Sequence, residues 1–184
     1  KFEKYFDPKI LTKKENYLSK LKEEDHVENV KNLLEESIKK RLRSDVPLAF
    51  CLSGGVDSGS LVSIATKKFG IKAKCYSIID QDKRYNEEKN IKVIQEDTNC
   101  KLEKIYIKNE ENFLDNLSNL INYHDSPIST ISYYAHSKIS LKAAKDNYKV
   151  ILSGTAADEI FTGYYDHHLF YLSELKKNKN LLLN

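Results

Sequence analysis

Three features of the chain predict an α/β fold, a doubly wound parallel sheet with helices on both faces. Helical and extended segments alternate along most of the length, the pattern of repeated strand-helix-strand units. An apolar strand, Val46 to Leu52, runs directly into the turn Ser53-Gly54-Gly55-Val56-Asp57-Ser58 and then into a helix. About a hundred residues later the apolar run Val150-Ile151-Leu152 leads into a second Ser-Gly turn, Ser153-Gly154.

The elements follow in order. Asp25 can cap a first helix, whose apolar residues Val27, Val30, Leu33, Leu34, Ile38 and Leu42 recur at three- and four-residue spacing. Strand one carries the glycine turn, and its helix opens at Ser58, passes through Leu61, Val62, Ile64 and Ala65, and stops at Gly70. Strand two covers Ala73 to Ile79, followed by a polar loop and a helix over about Glu87 to Asn99, with Ile91, Val93 and Ile94 on or near its buried face. Strand three, Lys101 to Ile107, alternates Leu102, Ile105 and Ile107 with polar residues. A helix bearing Phe113, Leu114, Leu117, Leu120 and Ile121, a loop from His124 to Thr130, and a helix through Ala135, Ile139 and Ala143 lead to strand four, Lys149 to Leu152. The Lys- and Asn-rich stretch Leu175 to Asn184 receives no element, and there is no internal repeat.

The composition fits a soluble globular domain. A chain of 184 residues at 40% hydrophobic can bury one sizeable core. Thirty Lys plus Arg against 27 Asp plus Glu leave a net charge of +3, with acids and bases mixed along the helices. That is a solvated surface and not a nucleic-acid stripe. No apolar run approaches the ~20 residues of a membrane span, and the first residues lack a signal-like apolar segment, so a cytoplasmic location is expected. Cys51, Cys75 and Cys100, an odd number without C-x-x-C spacing, give neither a disulfide framework nor a zinc site; Cys51 and Cys75 read as small buried strand residues.

The first turn has the chemistry of a phosphate cradle. Its glycines permit a tight turn, their N–H groups can face an anion, and the helix that follows adds the positive end of its dipole. It lacks the lysine of G-x-x-x-x-G-K-[ST], and Asp57 within an anion site calls for a Mg²⁺ between carboxylate and phosphate.

A strand-SGGVDS-helix unit resembles the signature of the PP-loop ATP pyrophosphatases, which have a Rossmann-like, HUP-like fold and cut ATP between the α- and β-phosphates. These include GMP synthetase, NAD synthetase, argininosuccinate synthetase, tRNA-modifying enzymes and asparagine synthetase. The stretch Ser153-Gly154-Thr155-Ala156-Ala157-Asp158-Glu159-Ile160-Phe161-Thr162-Gly163-Tyr164 resembles the S-G-x-G-x-D-E-x-F-x-G-Y loop of asparagine synthetases. Lys39 to Pro47 and Asp125-Ser126-Pro127 extend the likeness, which covers roughly residues 1 to 170.

The resemblance implies strand order 3-2-1-4, which sets strands one and four side by side with both motif loops in one crevice, where the order reverses. It further implies that Ser53, Gly54, Gly55, Val56, Asp57 and Ser58 hold the β- and γ-phosphates of ATP. Asp57 and Asp158 are the expected catalytic pair and share Mg²⁺, and adenine rests between Leu52, Ile79 and the Ser153-Gly154 backbone. The implied reaction is adenylation of a small carboxylate, with aspartate the leading substrate, followed by attack of ammonia or another amine on the acyl-AMP to form an amide. In glutamine-using members a glutaminase domain or subunit supplies the ammonia. The chain has no cysteine before Cys51 to serve as that domain's nucleophile, and Phe2-Glu3-Lys4-Tyr5-Phe6-Asp7 resembles the linker between the two domains. Residues 1–24 are therefore expected to be a linker and 25–184 a nucleotide-binding core from a longer enzyme, with a homodimer an open possibility and no nucleic acid or membrane partner.

Thr155 stands where asparagine synthetases carry a glutamate, and Ala156 where they carry a glycine. Threonine cannot supply that charge, which opens the substrate to other carboxylates, as in β-lactam synthetases and amidotransferases of sugar or peptide acids. A tRNA-modifying enzyme and a non-catalytic nucleotide-binding module are the alternatives from other classes. Plainer readings apply to several residues. Ser58 can be an N-cap and Asp158-Glu159 an acidic loop pair. The adjacent His167-His168 point different ways on a helix, and His124 beside Asp125 suits a loop hydrogen bond as well as acid-base work. Tyr133-Tyr134 and Tyr164-Tyr165 read as core and interface residues and not as a stacking platform.

Overall fold

The computed structural model describes Glu3, residues 21–107 and residues 112–177. The linker-like stretch at Phe2 to Asp7, Glu3 apart, and residues 178–184 lie outside that range. The chain divides into two units between Arg41 and Leu42. The first contains helix α1, Glu23–Arg41, with acids in its first turn and Lys39, Lys40 and Arg41 in its last, each complementing the helix dipole. This helix starts two residues before Asp25, whose carboxylate instead accepts the N–H of Lys22 at 3.2 Å.

The second unit is built on four parallel strands in the order β3-β2-β1-β4: β1 Leu48–Cys51, β2 Lys74–Asp80, β3 Lys101–Ile107 and β4 Val150–Leu152. Phe50 of β1 pairs with Cys75 of β2 on one side and Leu152 of β4 on the other, so β1 is central. β2 and β3 stay in register from Lys74 opposite Lys101 to Asp80 opposite Ile107. Parallel strands flanked by helices need apolar residues on both faces, and Ala49 and Phe50, which point to opposite faces, are both fully buried.

Between the strands run α2, Val56–Ser63, continued by a π turn over Ile64–Lys68; α3, Glu88–Thr98; α4, Phe113–His124; and α5, Ile131–Lys145. After β4 come the short α6, Ala157–Phe161, and α7, Tyr165–Lys177. Right-handed crossovers from β1 to β2 to β3 place α2 and α3 on one face, and the reversed step from β3 to β4 places α5 on the other. On the α5 face, Ile139 and Ala143 pack with Ala49 and Tyr76, extended by Cys51, Ile78, Ile105, Tyr148 and Ile151. Phe113 of α4 meets Tyr134 of α5 edge to face, with ring centroids 4.9 Å apart. Val62 of α2, Ala65 of the π turn and Ile91 of α3 are buried as well. Full burial of one such side chain is worth about 1.5–3 kcal/mol.

The alternation predicted from sequence is present, with several element boundaries shifted by one to three residues and strand three unmoved. The departure that bears on the glycine turn is at α2, which opens at Val56 and not at Ser58. Gly55 is extended at φ −79°, ψ 160° and already serves as the N-cap, which places Ser58 in the helix's first turn. The end of this helix also widens: the N–H of Phe69 donates to the Ile64 carbonyl at 3.3 Å before Gly70, at φ 66°, breaks the spiral. Asp125, at φ 51°, ends α4 as its left-handed C-cap. Among the described residues no helix is long and apolar enough to cross a membrane.

Candidate functional site

The turn after β1 is tied together by one hydroxyl. Ser58 is buried, and its Oγ accepts the Ser53 N–H at 3.0 Å, lies 2.9 Å from Ser53 Oγ and donates to the Ser53 carbonyl at 3.1 Å. Ser58 is thus a staple across the turn and not an N-cap. The first N–H groups of a helix have no acceptor inside it, and here they belong to Val56, Asp57 and Ser58. The three amides before them are already engaged: Ser53 with Ser58 Oγ, Gly55 with Ser53 Oγ at 3.3 Å, and Gly54 with Glu87 Oε2 at 3.1 Å. The anion-binding capacity of the turn therefore lies in the first turn of α2, where the helix dipole adds to it.

Gly54 is required for space. Its φ is not in the left-handed region, but a Cβ there would stand 2.7 Å from Glu87 Cβ and 2.8 Å from Asn90 Cβ. Sequence reasoning missed Glu87, which lies 33 residues away at the start of α3; no local pattern marks it.

The second motif sits on the neighbouring strand and reaches the first through Gly154. A Cβ on Gly154 would lie 2.9 Å from the Ser58 amide nitrogen and 3.1 Å from Asp57 Cβ, so the two backbones touch. Ser153 Oγ and Thr155 Oγ1 are 2.7 Å apart, and the Thr155 N–H donates to Ser153 Oγ at 3.3 Å. Ala156 follows in the left-handed region at φ 75°, a conformation that glycine adopts without strain.

Of the two predicted carboxylates, Asp57 stands at this junction, and Asp158 lies further along the second loop. Asp57 is half-buried in the first turn of α2, and no described residue donates a hydrogen bond to its side chain. Asp158 is half-buried in α6, with its carboxylate against the Cα of Gly163. Both are hard oxygen donors of the kind Mg²⁺ prefers, which usually keeps only one or two protein carboxylates and completes its shell with water and phosphate oxygens. Among the described residues there is no group of three or more His, Cys, Asp or Glu, so a shell made wholly of protein is not available. A metal held here would draw most of its shell from water and from a bound nucleotide.

Glu159 has a structural partner. The Tyr164 hydroxyl donates to its Oε1 at 2.7 Å and holds the carboxyl below its ordinary range. The Tyr164 N–H meets His167 Nδ1 at 3.3 Å, so this histidine helps to start α7. Tyr134 is buried, whereas Tyr133, Tyr164 and Tyr165 are exposed.

Leu52 and Ile79, the predicted adenine wall, lie at the carboxyl ends of β1 and β2 and are both buried. Leu52 is held there from both sides. Its N–H donates to the Tyr76 carbonyl at 2.9 Å, and its carbonyl accepts the buried Ser77 hydroxyl at 2.6 Å. The seam between the two loops thus has buried apolar residues at the strand ends, the first amides of α2 and the Asp57 carboxylate beside it.

Residues 29–182 match the profile of a protein family described as asparagine synthase. A Methanocaldococcus jannaschii protein that carries the name glutamine-hydrolysing asparagine synthetase 2 is 32% identical over 142 residues, 77% of this chain and 27% of its own length. Glutamine-hydrolysing asparagine synthetase 1 of Bacillus subtilis is 32% identical over 157 residues, 82% of this chain and 24% of its own. The chain thus spans about a quarter of the length of these relatives. Among solved structures, an NH3-dependent NAD synthetase from Campylobacter jejuni aligns with 78% of this chain and 61% of its own at 18% identity and a TM-score of 0.47.

Proposed function

Since the chain belongs to the asparagine synthase family, we propose that it carries the ATP site of an amide-forming ligase that adenylates a carboxylate and releases pyrophosphate. The observation that carries this reading is the contact of Gly154 with Asp57 and Ser58, which sets the two motif loops edge to edge at the ends of neighbouring strands. An ATP lying across that seam would have its triphosphate at the first turn of α2 and its adenine over Leu52, Ile79 and the Ser153-Gly154 backbone.

The N–H groups of Val56, Asp57 and Ser58 would receive the β- and γ-phosphates, and Ser53 Oγ, already turned toward Ser58, would orient one phosphate oxygen. Asp57 and Asp158 would hold Mg²⁺, which when bound supplies positive charge against that building on the departing pyrophosphate. The substrate carboxylate oxygen attacks the α-phosphorus, the bond from that phosphorus to the bridging oxygen breaks, and pyrophosphate leaves. Ammonia then attacks the acyl carbon, loses a proton and expels AMP. Fixed amides directed at the phosphates contribute to the first step by positioning and charge stabilisation.

Aspartate is the leading acid on the strength of the family, with ammonia drawn from glutamine by a partner domain or subunit. Thr155 supports a second reading in which another carboxylate is activated. Its hydroxyl is engaged with Ser153, and it presents no charge at the position where asparagine synthetases carry a glutamate. The test is to incubate the chain with ATP, Mg²⁺, ammonium and ¹⁸O-labelled aspartate or another labelled acid. Transfer of ¹⁸O into AMP is the expected result and identifies the acid; ADP and phosphate as products would contradict adenylation.

A further inference from the structure

We propose that Glu87 is a positioning residue of the nucleotide cradle, a role that rests on the reading of the turn after β1 as the ATP site. Its carboxylate accepts the Gly54 N–H at 3.1 Å, and the Cα of Gly54 packs directly on the backbone and Cβ of Glu87 and on Cβ of Asn90. Gly54 has no side chain to anchor it, and glycine in a free turn samples the widest range of backbone conformations. A charge-assisted hydrogen bond to the backbone is among the stronger local restraints available.

The loop that carries Glu87 is itself fixed. Asp80 Oδ1 accepts the Asp82 N–H at 2.8 Å, Asn86 Nδ2 donates to the Asp80 carbonyl at 2.9 Å, and the Glu88 N–H donates to Asn86 Oδ1 at 2.9 Å. Asp80 directly follows Ile79 at the end of β2. Glu87 therefore links the strand beneath the predicted adenine pocket to the turn beneath the triphosphate. It also removes the Gly54 amide from the donors open to phosphate, leaving anion binding to Val56, Asp57 and Ser58.

The test uses the full chain, Glu87→Ala and Glu87→Gln, with two readouts. In the free protein, amide hydrogen exchange at Gly54 is expected to quicken about tenfold or more in Glu87→Ala, and to remain near wild type in Glu87→Gln, whose amide oxygen can still accept the bond. In calorimetric titration with Mg-ATP, Glu87→Ala is expected to bind about tenfold more weakly, the factor that loss of such a bond corresponds to, with Glu87→Gln within about threefold of wild type. Unchanged Gly54 exchange in a folded Glu87→Ala protein would overturn the proposal. So would tighter binding of Mg-ATP by that variant, which would make the carboxylate a competitor of phosphate, or equal loss in both variants, which would point to its charge. If wild type itself fails to bind Mg-ATP, the ATP-site reading falls and the role proposed for Glu87 falls with it, whatever the exchange at Gly54 shows.

Discussion

Gly154 lies against Ser58 closely enough that a Cβ on the glycine would stand 2.9 Å from the serine amide nitrogen. Two loops a hundred positions apart thus meet where residue 154 has no side chain, and any Cβ there must push them apart. Gly154→Ala is expected to cost about 1–3 kcal/mol of stability, the range for overpacking a filled site, and to weaken Mg-ATP binding by more than tenfold. Urea unfolding and calorimetric titration of the same preparation check both effects.

Ser77 is buried beneath the predicted adenine wall, where its hydroxyl donates to the Leu52 carbonyl at 2.6 Å. Ser77→Ala leaves that carbonyl without this donor. A loss of about 1–3 kcal/mol is expected from urea midpoints, together with weaker binding of Mg-ATP.

Ala156 occupies a left-handed conformation, φ 75°, that costs a non-glycine residue about 1–2 kcal/mol. Glycine has no such penalty but loses more backbone freedom on folding. Ala156→Gly is expected to raise stability by about 0.5–1 kcal/mol, seen as a higher melting temperature in calorimetry.

Asp146 joins α5 to the sheet: it accepts from Lys142 Nζ at 2.9 Å and from the Tyr76 hydroxyl at 2.8 Å, while Lys74 and Lys142 both pair with Glu103. The hydrogen bond from Lys142, then that from Tyr76, holds the Asp146 carboxyl below its ordinary value. A carboxyl depressed in the folded state stabilises the protein above its unfolded pKa of about 3.9, and that stabilisation is lost as pH falls through the folded value. Urea midpoints are therefore expected to drop as pH is lowered from 5 toward 3, with a shallower drop in Asp146→Asn.

Much of the fold is legible in the sequence because parallel strands and their helices leave strong apolar patterns. Strand three needed no correction, since the residues alternating along Lys101–Ile107 mark both its ends. The start of α2 was misplaced because Ser58 has the residue type of an N-cap, and only the structure shows its hydroxyl directed back to Ser53. The π turn at Ile64–Lys68 leaves the same apolar spacing as an α-helix over five residues. Both motif loops were visible as motifs, but Glu87 was not, because its role depends on a contact 33 residues distant that no local periodicity records.

The most direct test of the account is calorimetric titration of the chain with Mg-ATP, run beside Asp57→Ala and beside a magnesium-free control. Wild type is expected to bind saturably at one site, with binding weakened at least tenfold in both controls and the variant still folded by circular dichroism. Equal affinity in all three would contradict a cradle in which Asp57 and a metal hold the triphosphate.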